Sequence, residues 1–574
     1  MRKTEPTPLD EQSLFKACPE CKTILFINDL VANAWVCTKP SCGHHFVITA
    51  QERLRVITEP GSFEEWDAEL SSRDPLGFPG FAEKLVEVTT KTGMHSAAVT
   101  GVAMIGGFRV GIGITDYHFM AGAMNSVVGE KFARAIEGAI AQRLPFILIS
   151  GSGAGAMMHE GLISLMQMPR ITAALARHKR AGLMSVCLLT DATYGGVIAS
   201  WASLAHITLA EPKARIGFVG GRVSGLKVFE GAPHKFRTAE YQLEHGAIDQ
   251  IVPRTELKGA LLAILASTAE FTGAAGERLL SIAEEVRASL PREEDDFLHD
   301  QSGTRRLHVT DAADNLRLAR HVNRPHTLDF IKGIFDSFFE LKGDKSLKDD
   351  GAIVGGVASL GGVRVVVIGH EKNRDMKERT LRNYGMAGPA GYRKAARLMR
   401  LAELLRCPLL CFIDTPGADI TVESENYGIS YALAQCQEIL LNLETPVVST
   451  IIGEGGSGGA IALGVADKVL ILQHAIYSVI APEKCASIVW KDESRVAEAA
   501  AALKITALDT VRLGVTDCLV PEPAEGAHMD RDAAVQILKA HLAETLAELA
   551  QVEDTQILVT GRYERFRAIN SFLG

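Results

Sequence analysis

Leu144–Ser150 (LPFILIS) runs into Gly151-Ser-Gly-Ala-Gly155, and Cys407–Ile413 (CPLLCFI) runs into Asp414-Thr-Pro-Gly417. Both are apolar runs of strand length that end on residues able to turn sharply, and they lie 263 residues apart. The proline that opens each strand, Pro145 or Pro408, stands 50 residues before the first glycine of a later pair, Gly195-Gly196 or Gly458-Gly459. Each unit therefore reads as strand, glycine-rich turn, amphipathic helix, second strand, second glycine turn, second helix. The same α/β device is predicted twice. Glycine turns entering helices expose backbone N–H groups at the positive end of a helix dipole. Two such units offer two places for a negative oxygen, which suits chemistry on carbonyl groups.

Working outward, the 574 residues, 47% of them apolar, suffice for two large cores and a small module. The formal charge of −9 supplies no basic field for nucleic acid or an anionic membrane. The opening MRKTEPTPLD lacks the apolar core of a signal peptide. No uninterrupted apolar run approaches the ~18 residues a membrane span needs. Cys187, Cys407, Cys411, Cys436, Cys485 and Cys518 are scattered through apolar segments, a pattern of reduced thiols that predicts a cytoplasmic protein.

The remaining four cysteines are clustered: Cys18-Pro-Glu-Cys21, then Cys37-Thr-Lys-Pro-Ser-Cys42. Two knuckles so spaced place four thiolates around Zn2+ as a structural zinc ribbon, with no position left open for catalysis. His44 and His45 stand beside the looser second knuckle, and one of them is the alternative to Cys42 as fourth ligand. Residues 1–50 carry five Lys/Arg and five Asp/Glu, so a nucleic-acid role for the ribbon lacks the net basic face it requires.

The organisation that follows is a ribbon over 1–50, a first α/β domain over 51–290, a polar linker over 291–314 and a second α/β domain over 315–574. The first domain is expected to open on a helix around Ile57–Leu70, and the second on helical periodicity through Leu316–Leu341. Strands alternating with helices imply parallel sheets with right-handed crossovers, which puts the glycine pairs at the carboxyl ends of strands, where ligands bind.

Longer strings carry a resemblance. Ile452-Gly-Glu-Gly-Gly-Ser-Gly-Gly-Ala-Ile-Ala-Leu463, Gly385-Met-Ala-Gly-Pro-Ala-Gly-Tyr-Arg393, Phe412-Ile-Asp-Thr-Pro-Gly-Ala418 and Arg324-Pro-His-Thr-Leu-Asp329 resemble the carboxyltransferase alpha subunit of bacterial acetyl-CoA carboxylase. The cysteine cluster, Ser126-Val-Val-Gly129, Leu165-Met-Gln-Met168, Thr190-Asp191 with Gly195-Gly196, and Glu244-His-Gly-Ala-Ile-Asp249 resemble the beta subunit. The order is beta then alpha in one polypeptide. The resemblance implies two crotonase-like carboxyltransferase domains behind a zinc ribbon, in agreement with the duplicated unit.

It also implies a chemistry. Carboxybiotin on a separate carrier protein releases CO2, the freed ureido nitrogen takes the α-proton of an acyl-CoA, and the thioester enolate attacks CO2. Two oxyanions develop. By the resemblance, the N–H groups of Ala154 and Gly155 stabilise the thioester oxygen and those of Gly459 and Ala460 the ureido oxygen. Each donor pair is expected to lower the barrier by about 3–4 kcal/mol. Gly195, Gly196, Gly458 and Arg222 are expected to line the substrate path. Lys372 and Arg374 are further candidates for CoA phosphates. A branched side chain at Gly459 is expected to obstruct biotin without unfolding the domain.

Several stretches depart from the family pattern. The turn Gly153-Ala-Gly-Ala-Met157 lacks the family's first glycine and its arginine, Phe119-Met-Ala-Gly-Ala-Met-Asn125 lacks two glycines, and Asp419–Tyr427 lacks a Pro-Gly and a glutamate pair. These changes fall on the expected walls of the site, where loops vary freely and where an altered acyl substrate would also leave its mark. Asp419, Glu423 and Glu425 read as a solvated acidic loop. The chain has neither a biotinylation string nor an ATP-grasp segment, so a biotin carboxyl carrier protein and a biotin carboxylase are the expected partners. By the resemblance a closed symmetric dimer, or a multiple of one, is expected, each site taking its thioester hole from one chain's first half and its biotin hole from the other chain's second half. The leading function is formation of malonyl-CoA from acetyl-CoA for fatty acid synthesis. The alternatives are another acyl-CoA of propionyl type or longer, decarboxylation of a malonyl thioester, and a zinc-ribbon regulatory protein with degenerate enzyme domains.

Overall fold

The structure, a computed structural model, describes residues 14–153, 155–217, 235–265, 271, 273–290 and 311–568. The chain divides into two compact units, Met1–Gln242 with Gln250–Leu262, and Leu243–Asp249 with Ala263–Gly574.

The first unit opens on an antiparallel hairpin, β1 (Phe15–Ala17) and β2 (Ile24–Phe26), over a small core of Cys18, Leu25, Leu30, Trp35, Cys37, Phe46 and Ile48. Behind it come β3 (Glu64–Trp66), β4 (Ala98–Ile105), β5 (Phe108–Thr115), β6 (Phe146–Ser150), β7 (Ser185–Leu189), β8 (Thr193–Tyr194), β9 (Ile207–Ala210), β10 (Ile216–Gly217) and β11 (Gln250–Ile251). Seven of these form one sheet in the order β11-β9-β7-β6-β5-β4-β3, while β8 and β10 pair separately. From β5 to β11 the neighbours are parallel, so both sheet faces are covered and β6 and β7 are buried at every residue. The helix Ser126–Ala141 crosses the helix Gln167–Arg180 at Gly129, where a Cβ would lie 2.1 Å from Gln167 Oε1. Two of the strings used for the resemblance thus meet at a helix crossing.

The second unit repeats this plan. Among the described residues its strands are β12 (Ser337–Glu340), β13 (Ile353–Leu360), β14 (Val363–His370), β15 (Leu409–Thr415), β16 (Val447–Gly456), β17 (Lys468–Leu472), β18 (Ile476–Ser478) and β19 (Cys518–Val520). The order is β12-β13-β14-β15-β16-β17-β19, with β18 on the end of β16. β4–β5 and β13–β14 are matching hairpins turned by Gly106-Gly107 and Gly361-Gly362. All four glycines have positive φ (+56°, +85°, +58° and +79°), which a two-residue type I′ turn requires.

The repetition extends beyond the strands. Eight-residue helices Ala50–Ile57 and Thr327–Ile334 each dock on a buried carboxylate just past the hairpin. Asp116 accepts the N–H of Ala50 at 2.6 Å and Glu371 that of Leu328 at 2.8 Å. The expected helix around Ile57–Leu70 is therefore placed differently: it ends at Ile57, because Pro60 and Gly61 stop it, and β3 follows. Leu316–Leu341 is likewise not one helix. Pro325 separates Ala312–Ala319 from Thr327–Ile334, and β12 takes the rest.

Against the expected boundary near residue 290, two first-half segments cluster with the second unit. The helix Gly273–Ser289 packs on Arg531–Leu549, and the Asp249 carboxylate is buried between Lys345 Nζ (2.7 Å) and Arg397 Nη2 (2.8 Å). Among the described residues, no helix is long and apolar enough to cross a membrane.

Candidate functional site

In the first unit the carboxyl ends of β5, β6 and β7 present Thr115, Gly151 and Thr190. The turn after β6 is held by neutral groups: Gly151 N–H donates to Thr115 Oγ1 (2.8 Å), Thr190 Oγ1 to Ser150 O (2.7 Å) and Thr193 Oγ1 to Ser150 Oγ (3.0 Å). Gly155 (φ +67°) and Gly195 (φ +66°) approach so closely that a Cβ on Gly195 would lie 3.0 Å from Gly155 Cα. Gly196 packs on Met168, where a Cβ would meet Sδ at 3.1 Å. The structure thus brings Gly155, Gly195 and Gly196 together. Ala154 and Arg222 lie outside the described residues.

The reading of both turns as helix starts needs correction. Residues 155–157 instead run parallel to the chain at Met124, whose N–H donates to Gly155 O (2.7 Å) and whose carbonyl accepts from Met157 N–H (2.9 Å), and only a 3-10 turn at Met158–Glu160 and the five-residue helix Gly161–Leu165 follow. Gly195-Gly196 lead to the four-residue helix Trp201–Leu204. Neither stack of aligned peptides is long enough for a helix dipole to act at the first-unit glycines.

The second unit differs. Gly458 and Gly459 lie in the first turn of Ser457–Gly464, which follows β16 directly, with Ser457 itself left-handed at φ +49°. Gly459 and Ala460 are buried, Gly458 half-buried. A Cβ on Gly459 would lie 2.6 Å from Ala418 N, and one on Gly456 would lie 2.1 Å from Pro416 O. A branched residue at Gly459 therefore strikes the backbone of the neighbouring turn, contrary to the expectation that it would obstruct biotin alone. Gly458 has room, its nearest contact being Leu433 Cδ1 at 3.7 Å.

Beneath this turn lies an ionic cluster that sequence reasoning missed. Asp414 Oδ1 meets Lys372 Nζ at 2.7 Å, its Oδ2 meets His326 Nδ1 at 3.0 Å, and Lys372 Nζ reaches Glu454 Oε2 at 2.7 Å. Arg320 links Glu454 (2.7 Å) to Glu483 (2.5 Å). Burial alone would raise the Asp414 pKa, but the Lys372 charge and the His326 hydrogen bond hold it far below the usual carboxylate range. Burial would also discharge Lys372, and Asp414 with Glu454 reverses that, raising its pKa. Lys372 is 2% exposed and committed to these carboxylates, so it is no phosphate ligand. Arg374 pairs with Asp329. The available signal was an aspartate ending a wholly apolar strand. A shallow cleft opens here between Arg320, Pro416, Glu454, Gly456 and Ser478.

At the N-terminus, the sulfurs of Cys18, Cys21, Cys37 and Cys42 lie within 4.8 Å of one another, with Cys18–Cys42 at 3.7 Å and Cys21–Cys37 at 3.8 Å. Four thiolates about 2.3 Å from a tetrahedral ion would be about 3.8 Å apart, so the cluster fits a metal without rearrangement. His44 and His45 are not in this group. Arg254 ties the module to the sheet, donating to the carbonyls of Ala34 (3.3 Å), Trp35 (3.4 Å) and Phe46 (3.0 Å) while its other nitrogens grip Glu211. A narrow cleft lies between this module and the β5–β7 strand ends, lined by His45, Tyr117, Gly151 and Asp191 among others.

Comparison with known proteins adds to this geometry. A family model described as "Acetyl co-enzyme A carboxylase carboxyltransferase-like" matches residues 275–570. The chain is 42% identical to the acetyl-coenzyme A carboxylase carboxyl transferase subunits beta/alpha of Salinispora arenicola, over 98% of this chain and 97% of that protein. The protein of the same description from Natranaerobius thermophilus is also 42% identical, over 98% and 92%. The carboxyl transferase subunit alpha of Thiobacillus denitrificans is 51% identical over 45% of this chain and 79% of its own length. Among solved structures, transcarboxylase 12S, with methylmalonyl-coenzyme A and methylmalonic acid bound, superposes with a TM-score of 0.66 at 18% identity, covering 87% of this chain and 89% of its own. A single-chain, multi-domain long-chain acyl-CoA carboxylase gives a TM-score of 0.64 at 18% identity, over 86% of this chain and 46% of its own. Both share the fold.

Proposed function

The chain belongs to the acetyl-CoA carboxylase carboxyltransferase family, with beta and alpha subunits in one polypeptide, and we propose that it moves a carboxyl group from carboxybiotin on a separate carrier protein to acetyl-CoA. The product is malonyl-CoA, consumed in fatty acid synthesis, and a biotin carboxylase recharges the carrier. The observation that carries this reading is the duplicated strand-end turn, with Gly155 against Gly195 in one unit and Gly459 against the Gly417-Ala418 backbone in the other. In both places main chain packs directly on main chain, so what the turn can offer a substrate is a backbone N–H group rather than a titratable side chain.

In the proposed roles, Ala154 and Gly155 donate to the thioester oxygen as the α-carbon loses its proton. Gly459 and Ala460 donate to the ureido oxygen as CO2 departs and the ureido nitrogen takes that proton. The electron pair left on the α-carbon then forms the new bond to CO2. Gly195, Gly196 and Gly458 line the approaches, and Arg222 is assigned to the CoA end. Backbone donors fixed before the reaction stabilise developing charge without reorganising.

The four cysteines are assigned to structural Zn2+ in a ribbon. The assembly is a symmetric dimer, or a multiple of one, in which each site takes its thioester turn from one chain's first half and its biotin turn from the other chain's second half. The location is the cytoplasm, a reducing compartment in keeping with the six free cysteines outside the metal cluster. The test is the reverse reaction: malonyl-CoA with biocytin should yield acetyl-CoA, with propionyl- and butyryl-type thioesters competing weakly. Stronger use of a longer acyl group would replace the acetyl assignment. Loss of CO2 that biocytin does not accelerate would favour a decarboxylase.

A further inference from the structure

We propose that Asp414, locked by Lys372 and His326, is the positioning residue for the β16 turn that carries Gly459 and Ala460, an inference that rests on the carboxyltransferase reading. The register of β15 and β16 supplies the argument. Ile413 stands opposite Ile451, but Thr415 stands opposite Gly455, so β16 carries two extra residues where it passes Asp414. A bulge of this kind frees backbone groups from the ladder and re-aims the strand end. Asp414 fills it: its Oδ1 accepts the N–H of Glu454 at 3.0 Å, and Gly453 lies so near that a Cβ there would be 2.4 Å from the same oxygen. The chain enters the Gly456–Ala460 turn two residues beyond that hydrogen bond.

A buried carboxylate under a turn meant for an oxyanion would oppose it. Lys372 removes that opposition by neutralising Asp414, and it holds the Glu454 side chain at the same time. His326 fixes the other carboxylate oxygen. Among the described residues the first unit shows no counterpart: Gly151 occupies the corresponding place 263 residues earlier, and hydroxyl groups hold its turn. The lock therefore acts on one turn only. Asp414, His326 and Lys372 are positioning residues; none is assigned to touch substrate.

The experiment compares the full-length protein with Asp414→Asn, which keeps the size and the acceptor but loses the charge that holds Lys372. Four quantities are read: kcat and KM for malonyl-CoA in transfer to biocytin, the rate of biotin-independent malonyl-CoA decarboxylation, and the melting temperature. Transfer kcat should fall about tenfold to a hundredfold, the loss typical of a misplaced reacting group. KM for malonyl-CoA should stay within about twofold, and the ratio of transfer to decarboxylation should fall with kcat. Equal losses in both reactions, or no loss in transfer, overturn the proposal. If Asp414→Asn fails to fold, His326→Phe, which removes only the Oδ2 contact, should lower the same ratio by a smaller factor, and an unchanged ratio overturns it. A wild-type protein inactive in both reactions would instead overturn the carboxyltransferase reading itself.

Discussion

Arg254 and Glu211 meet as a buried bidentate pair, with Nε to Oε1 at 2.8 Å and Nη2 to Oε2 at 2.6 Å. Arg53 reaches the same carboxylate at 2.7 Å. Burial would push the Glu211 pKa up, yet Arg53, Arg254 and the His45 hydrogen bond hold it well below the carboxylate range.

Arg254→Met should therefore cost about 3–5 kcal/mol, because it breaks a buried charge network rather than replacing it whole. It also releases three ribbon carbonyls. Urea unfolding followed by a ribbon tryptophan, Trp35, checks this: Trp35 should become mobile before the sheet unfolds.

Acid sensitivity has a definite sign. Burial lowers the pKa of His206 to about 3, of His370 to about 3 and of His541 to about 4. The contacts of His206 agree with this direction, since Ser185 N–H donates to its Nδ1 at 3.0 Å and needs that nitrogen unprotonated. Their unfolded values are near 6.5, so the unfolded state binds more protons between about pH 6.5 and pH 4. Stability is fully present above about pH 6.5 and declines below it by up to about 1.4 kcal/mol per pH unit per histidine. Melting temperatures from pH 8 to pH 4.5 test the slope, which His206→Asn should reduce.

Metal content is the direct check on the N-terminal cysteines. The purified protein should carry about one zinc per chain, and Cys21→Ser should lose it together with the ordered ribbon, since metal binding and folding are linked at such sites. Metal-free protein with unchanged melting would contradict the assignment.

The two glycines of the second-unit pair should respond differently. Gly459→Ala places a Cβ 2.6 Å from Ala418 N, so it should lower both the melting temperature and transfer to biocytin, the latter by about two orders of magnitude if a donor is displaced. Gly458→Ala meets nothing closer than 3.7 Å and should leave the melting temperature unchanged.

At Gly155 the cost is conformational. Its φ of +67° opposes any side chain, so Gly155→Ala should lose about 1–2 kcal/mol and slow biotin-independent decarboxylation along with transfer. A normal decarboxylation rate would remove Gly155 from the thioester site.

Much of the fold was legible because its strands are short apolar runs stopped by glycine, proline or aspartate, and a doubled spacing repeats only when a doubled topology lies beneath it. The cysteine cluster was legible from spacing alone. Helix partners were not: periodicity identifies the apolar face of Gly273–Ser289 but does not say that Arg531–Leu549 covers it. The Asp414 cluster was hidden for a related reason. His326, Lys372, Asp414 and Glu454 come from four separated segments, and although Asp414 ends a wholly apolar strand, nothing local to it names the three residues it meets. Only the parallel sheet aligns them.

One further feature of the backbone repeats. Met120-Ala121-Gly122 has φ values of +50°, +57° and +67°, and Asn383-Tyr384-Gly385, 263 residues later, has +46°, +55° and +80°. Each glycine crowds a carbonyl of the strand-end turn: a Cβ on Gly122 would lie 2.3 Å from Gly151 O, and one on Gly385 would lie 2.8 Å from Asp414 O. Only the glycine is common to the two triplets, and four non-glycine residues hold a left-handed conformation that costs about 1–2 kcal/mol apiece. A shape so costly survives only if something depends on it, so the two halves inherited a curvature rather than a word. Exchanging the triplets between halves should then yield a chimera that still folds, whereas replacing either glycine should not.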